Sequence, residues 1–581
     1  MKLDKNILEL YWKLLPVQIF LVITNGLTNL IDGLVIGNLL SPASMIALGL
    51  TGPVIAIICS FAAIVSGGAG ILCGNYMGRG EAEKVNHVYT IAMVLAAVLG
   101  VFLTVILVVF SVPLADLLGA DAENLSETAA YIRGVGLGSI PMMIMPTQMT
   151  ILQMCNKSNV SLYSTIIFAV FTLVSTIVSI LVFHGDVFTV GLATSLSRLA
   201  VVILIVIYVR KHPELVRFDF KNFDTAILKN LILLGTPAAL SNFLYGVRNI
   251  FINQYAVAVG GNVAINSIAI YSSVSVFYDA TNIGIINATL MLASVFIGER
   301  DAKSLRSLVD ISIVMGLLLC VIKFIASIGF GTPIAQAFGG TGDVVPMTKE
   351  LLIFYALSAV PNIFTGTILA NYQSLGRIKL CNIVYLFNCI LSPLFCCAVL
   401  TKFFGVHAIW ALYTFAEIIS LTIIYIYCSS KKKAPVTCWE DILMLPEEFN
   451  TENKMSVSIT SMDEVVTLAE QIQEFCVEQG VDNKTAMLSA LCMEEMAGNI
   501  VDHGFTKDLK DHQIDAFVVV EDGEISMRLR DDCVPFDPHD KLKMYDDEDP
   551  TKNFGIKMVS KVAKEMNYQT NFGMNVLTIK V

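Results

Sequence analysis

His407-Ala-Ile-Trp-Ala-Leu-Tyr-Thr-Phe-Ala-Glu-Ile-Ile-Ser-Leu-Thr-Ile-Ile-Tyr-Ile-Tyr-Cys-Ser-Ser-Lys-Lys-Lys433-Ala-Pro435 is an apolar run that ends in three lysines, and its reading decides the fold. Residues 407–429 supply the ~20 apolar residues that a helix needs to cross a bilayer, and the lysines mark a cytoplasmic end. N-terminal to this boundary lie similar runs near 14–38, 46–71, 88–116, 129–155, 160–183, 187–210, 229–258, 265–297, 306–330, 350–374 and 380–401. From about Thr451 onward such runs stop and acidic residues set in. The prediction is an all-α polytopic membrane body of about twelve spans, followed by a water-soluble α+β domain.

Composition and charge agree with this division. Hydrophobic residues make up 55% of the 581, and the mean hydropathy is +0.70, beyond the ordinary soluble range. Of the 49 acidic residues, 25 fall in Thr451–Val581 with 13 of the 38 basic ones, so that segment carries −12 and the remainder +1. A nearly neutral body suits a membrane, whereas an acidic tail repels DNA and anionic lipid and so argues against nucleic acid as a partner. The thirteen cysteines contain no C-x-x-C pair and read as small buried hydrophobes in a reducing setting. Asp4, Glu9 and Lys13 precede the first run, which lacks a small-residue cleavage site, so the first span itself is expected to direct the chain to the membrane.

Lysine and arginine fall in alternate loops, at Arg79 and Lys84, Lys157, Arg210 and Lys211, Arg300 and Lys303, Arg377 and Lys379, and Lys431 to Lys433. The positive-inside rule then places both termini in the cytoplasm of a multi-pass cytoplasmic-membrane protein. The body also repeats. Gly78-Arg-Gly-Glu-Ala-Glu-Lys84 has its counterpart in Gly298-Glu-Arg-Asp-Ala-Lys-Ser304, Gln153 matches Gln373, and Pro16 matches Pro237. Two like-oriented six-helix repeats imply a transporter with its site between the halves. The predicted organisation is a first repeat over 1–210, a linker over 211–228, a second repeat over 229–430, a linker over 431–454, and the soluble domain over 455–581.

Ionisable residues inside apolar runs cost on the order of 3 kcal/mol even on the lenient insertion scale and mark functional sites by default. Asp32, in Thr28-Asn-Leu-Ile-Asp-Gly33, is expected either to face a cavity and titrate or to be a structural carboxylate satisfied by Asn25 or Asn29. Arg248 and Asp279 lie on neighbouring spans and form either a structural salt bridge or a substrate site. Glu417 lies in the last span. His184, before Gly185-Asp186, reads as a loop histidine. Tyr, Asn and Met residues along Tyr278–Met291 either line a wet cavity or pack between helices.

Asn29-Leu-Ile-Asp-Gly-Leu-Val-Ile-Gly37, the alanine and glycine pattern of Ala47–Pro53, and Gly67-Gly-Ala-Gly70 followed by Gly78–Lys84 resemble the MATE (multidrug and toxic compound extrusion) family over roughly residues 10–430. The resemblance implies exchange of protons or sodium ions for organic cations, drugs or other small molecules, with the coupling role falling on Asp32. Many relatives carry a second aspartate in the fifth span, whereas Val174–Phe183 here has no carboxylate. The wider superfamily also contains lipid-linked sugar flippases, which leaves that substrate class as an alternative.

In the soluble segment, Val465–Glu478 and Lys484–Asp502 have helical periodicity, and Ile514–Val520 and Ile525–Leu529 read as strands. Glu495 and Asn499, at i and i+4, place a carboxylate and an amide oxygen on one helix face, a pairing suited to a hydrated magnesium ion or simply a solvated surface. Leu529-Arg-Asp-Asp-Cys-Val-Pro-Phe-Asp-Pro538 at a strand end, Asn553-Phe-Gly-Ile-Lys-Met-Val559 opening a helix and Gly573-Met-Asn-Val-Leu-Thr-Ile579 as a final strand follow in order. Together these resemble the histidine-kinase-like (Bergerat) ATPase superfamily in its serine-kinase, anti-sigma-factor branch, over about 455–581. The resemblance implies Mg-ATP, with Glu495 as base, Asn499 as the magnesium ligand, Asp531 receiving the adenine amino group and Gly555 admitting phosphates at a helix N-terminus. Cys533 and Asn553 stand where the family usually has glycine. No P-loop is present, so the chain reads as a secondary transporter with a regulatory nucleotide domain and a soluble regulatory protein as that domain's partner. A membrane sensor controlling a serine-kinase-like domain is the rival.

Overall fold

The computed structural model describes residues 4–40, 42–220, 224–446, 449, 453–505, 512–521, 523–540 and 554–581. The chain divides into two compact units, residues 1–153 with 157–444, and residues 154–156 with 445–581.

The first unit is helical. Among the described residues, ten helices are long and apolar enough to cross a membrane, and Leu125–Gly136 with Ser139–Met154, bent by 42°, makes an eleventh span. Helix Thr225–Gly298 has 74 residues, about 110 Å at 1.5 Å per residue, far more than one bilayer requires. Gly261, with φ 59° and ψ −151°, breaks it, because only a residue without Cβ adopts that conformation cheaply. Two spans therefore run through it and the described helices supply twelve. The gap between the runs 229–258 and 265–297 is reduced to this one non-helical residue. Span Ile378–Phe404 contains π-helical turns at Phe387–Leu391 and Cys396–Leu400 on either side of Ser392–Phe395. Pro393 has no N–H to donate, and the widened turns absorb the mismatch.

The repeat is visible in the packing. Gly78 and Gly298, equivalent in the two halves, meet backbone to backbone: a Cβ on Gly298 would lie 2.9 Å from the carbonyl carbon and Cα of Asn75, and one on Gly78 would lie 2.7 Å from the Glu299 nitrogen. Gly68 and Gly235 do the same against the Leu231 and Ile64 backbones. In lipid no hydrophobic force drives helices together, so close backbone approach supplies the dispersion contact that holds helix Gly52–Gly78 to helix Thr225–Gly298. The equivalent glutamines each reach the first helix of their own half, Gln153 to Gln18 and Gln373 to the Leu234 carbonyl at 2.9 Å.

The inter-repeat segment is anchored. Arg217 and Asp219 donate backbone N–H groups to Asn86 Oδ1 and Thr90 Oγ1, both at 2.8 Å, and His87 pairs with Asp219 at 3.0 Å. Beyond the last span, His407–Lys432, helix Trp439–Leu443 folds back on the body through Tyr372 Oη to the Ile442 carbonyl at 2.6 Å and Arg306 to Glu440 at 2.9 Å. None of the cysteines is in a disulfide, and most are buried.

The second unit is a five-stranded antiparallel sheet in the order β1-β2-β3-β5-β4. Its strands are β1 (Lys454–Ile459), β2 (Ile514–Glu521), β3 (Glu524–Asp531), β4 (Glu565–Asn571) and β5 (Met574–Lys580). Helices Met462–Glu478, Asn483–Gly504 and Phe554–Val562 are its longer described helices. Leu468, Ile472, Met493 and Met496 from the helices share a buried core with Val518, Met527 and Leu577 from the sheet, which gives the α+β fold expected. β1 and β4 are the two strands not read from the sequence. Both are edges, paired on one side only, and their half-buried residues leave a weak alternation.

Candidate functional site

A cavity of about 1000 Å³ lies between the halves of the first unit. The first half contributes mainly Gln18, Met142, Met145, Met149, Phe168 and Arg198. The second contributes Tyr245, Arg248, Asp279, Asn282, Asn287, Tyr355, Asn362, Asn388, Tyr413 and Glu417. Polarity is thus concentrated in the second half, on a scale that holds a drug-sized molecule.

Three of the ionisable residues singled out from the sequence converge here. Arg248, 8% exposed, has its guanidinium 4.2 Å from the Tyr245 ring and 5.1 Å from the Tyr413 ring. Asp279 accepts the Tyr355 hydroxyl. Glu417 accepts Asn362 Nδ2 at 2.8 Å, and its Oε2 is buried without a hydrogen-bond partner. No ion pair joins Arg248 to Asp279, so the salt bridge entertained between neighbouring spans is not formed. Within Tyr278–Met291, Asp279, Asn282, Ile283, Ile286, Asn287, Leu290 and Met291 face the cavity. Asp32 and Asn29 lie in helix Lys5–Leu39, and their side chains, like that of Asn25, are outside the described residues. His184 sits in the turn after Leu181 with φ 51°.

Sequence reading missed two cations. Lys323, inside the run 306–330, is 8% exposed and donates to Asn282 Oδ1 and, at 3.3 Å, to the Tyr278 carbonyl. Arg198 approaches the Phe168 ring at 5.1 Å. Both were legible as charges within apolar runs. Tyr355, Tyr413, Asn362 and Asn388 were not, because only helix packing brings them to the carboxylates.

In the second unit, Asn499 donates Nδ2 to the Glu495 carbonyl at 2.8 Å and to Glu495 Oε1 at 3.1 Å. Two oxygen acceptors fix the amide's orientation and leave Oδ1 free to accept. A Cβ at Gly555 would overlap the Glu495 carboxylate. Glu495 therefore sits against the N-terminus of helix Phe554–Val562, where N–H dipoles favour negative charge. Asp531, 4% exposed at the end of β3, accepts Asn575 Nδ2 at 2.8 Å and the Cys533 N–H at 2.9 Å, both on Oδ1. Burial pushes its carboxyl above the usual carboxylate range. Tyr568 donates to Asn575 Oδ1 at 2.9 Å and accepts the Phe536 N–H at 2.9 Å, so β4 and β5 hold the orienting amide. Cys533 is buried with no positive φ. Its Sγ occupies space left by Gly504, where a Cβ would come within 2.9 Å. Asn553 lies outside the described residues. The set fits a magnesium nucleotide in kind: an amide oxygen beside a carboxylate, a helix N-terminus opening with a glycine, and a buried carboxylate oriented by an amide.

Twelve apolar spans around an internal polar cavity define the larger unit as a multi-pass membrane transporter. The chain belongs to the MatE family, which matches residues 18–178 and 237–398, one match in each repeat. Residues 460–581 match the histidine kinase-like ATPase domain. Among relatives, the multidrug export protein MepA of Staphylococcus haemolyticus is 23% identical over 338 residues, covering 57% of this chain and 74% of that protein. The probable multidrug resistance protein YoeA of Bacillus subtilis is 23% identical over 419 residues, covering 69% and 88%. A MOP superfamily transporter from Pyrococcus furiosus has the same fold, with a TM-score of 0.68 at 19% identity over 74% of this chain and 100% of that one.

Proposed function

We propose that this protein exports drug-sized organic molecules across the cytoplasmic membrane, driven by a proton or sodium gradient, and that its C-terminal domain binds Mg-ATP and regulates the transport. The observation that carries the reading is the cavity of about 1000 Å³ between two repeats of a MatE-family body. The multidrug-export names of its relatives support it. Asp279 and Glu417, with Asp32, are the carboxylates that take up and release the coupling ion as the halves rock. The alternate Lys and Arg loops support two cytoplasmic termini, where ATP is available.

Mg-ATP, when bound, supplies a phosphoanhydride and a divalent cation. Asn499 would hold the cation, Glu495 beside it would serve as base toward a water or hydroxyl, and Asp531 would receive the adenine amino group. A net charge of −12 on this segment makes a basic surface the complement for a soluble regulatory protein. The test is dye uptake into inside-out vesicles under an imposed proton or sodium gradient, with and without Mg-ATP. Uptake is expected to need the gradient, to be lost in Asp32→Asn, and to lose its ATP response in Asn499→Ala. Uptake indifferent to both gradients would overturn the reading.

A further inference from the structure

Arg248 is a buried cation of the cavity that has no direct polar partner among the described residues, with the Asp279 and Glu417 carboxylates in electrostatic reach but not in contact. It is 8% exposed, its Nε is buried without a hydrogen-bond partner, and among the described residues it makes no hydrogen bond or ion pair. The faces of Tyr245 and Tyr413 hold the guanidinium in place and direct it toward the cavity. Ring faces stabilise a cation but offer no acceptor for its N–H groups. The two nearby carboxylates are each held through one oxygen by another group, Asp279 by Tyr355 and Glu417 by Asn362, and neither forms an ion pair with the guanidinium.

A carboxylate in low dielectric can shed its charge by taking a proton, whereas a guanidinium cannot lose its proton in a protein. Five donors fixed in a planar fork, desolvated and unpaired, form a subsite for a carboxylate, sulfonate or phosphate. From this geometry we infer that the transported molecule carries an anionic group that docks on Arg248, so the substrate class is an amphipathic organic anion or zwitterion. This rests on the export reading and narrows its substrates. The methionine and phenylalanine side of the cavity takes the apolar part, and the Arg248 side takes the charge.

The test uses the full-length protein purified in detergent and two xanthene dyes of opposite charge, 6-carboxyfluorescein and rhodamine 6G. Binding is read by fluorescence polarisation, and transport of each dye is read in proteoliposomes. Carboxyfluorescein is expected to bind, and Arg248→Gln to weaken it about 10- to 100-fold, the range for losing one or two charge-assisted hydrogen bonds. Arg248→Lys should restore part of the loss, with rhodamine 6G unchanged or bound more tightly in Arg248→Gln. A merely structural arginine would change both dyes alike, and that result would overturn the inference. Rhodamine 6G binding and transport without carboxyfluorescein binding would also overturn it while leaving the export reading intact. Anion binding lost in Arg248→Gln, with no transport of either dye, would uphold the subsite and sink the export reading. No carboxyfluorescein binding at all overturns the subsite.

Discussion

Replacing Gly298 by alanine tests how the two halves are held together. The added methyl would overlap the Asn75 carbonyl oxygen and lie 2.9 Å from its carbonyl carbon and Cα, against the 3.5–4.0 Å at which carbon atoms attract. The obstacle is backbone in a helix and cannot rotate away, so the halves must part locally by at least about 0.6–1.1 Å. Overpacking of this kind costs about 1–3 kcal/mol. Gly246→Ala is the matched control on the same helix, because a Cβ there meets nothing within 4 Å. It should gain about 0.5–1 kcal/mol from helix propensity. Thermal unfolding of detergent-solubilised protein, followed by size-exclusion fluorescence, is expected to rank Gly246→Ala at or above wild type and Gly298→Ala several degrees below. Gly78→Ala, its repeat partner, should behave like Gly298→Ala. Equal stability of Gly298→Ala and wild type would refute the backbone contact, as would equal losses at 298 and 246.

Tyr355→Phe removes the hydroxyl that Asp279 accepts and should lower gradient-driven uptake at least severalfold without loss of folded protein; unchanged uptake in the vesicle assay would exclude Asp279 from coupling. Asn499→Ala should abolish Mg-dependent binding of a fluorescent ATP analogue, and chelation of magnesium should do the same to the native protein, whereas retained Mg-dependence in the variant would disprove Asn499 as the ligand. Burial raises the Asp531 carboxyl above its unfolded value, so its contribution to stability is fully present below about pH 4 and is lost as pH rises through the folded value. Asp531→Asn should remove that segment of the profile, read by pulse proteolysis of the full chain in urea, and parallel profiles for the two proteins would count against it. Gly504→Ala pushes a methyl into Cys533 Sγ and should destabilise the domain by about 1–3 kcal/mol, with Cys533→Gly relieving the defect in the same assay.

The chain alone shows the spans, the repeat and the change of composition beyond Lys433, short of the helical unit's actual end at Met444. These follow from local quantities, hydrophobic length and charge position, which add along the chain whatever the helices later touch. Glu495 with Asn499 was equally legible, because i and i+4 share a helix face wherever that helix packs. Tertiary structure decided what surrounds those groups. Arg248 was visible as an intramembrane cation, but its release from Asp279 and its placement between Tyr245 and Tyr413 depend on helices 165 residues apart in sequence. The same holds for Asn575 and Tyr568, two ordinary strand residues until pairing of β3 with β5 and of β4 with β5 sets them around Asp531. Glycine 78 and glycine 298 were seen as a repeated motif, and only their backbone contact shows that the repeat closes on itself. Which faces of distant helices and strands meet is fixed by shape complementarity over the whole molecule, and that information is absent from any single stretch of chain.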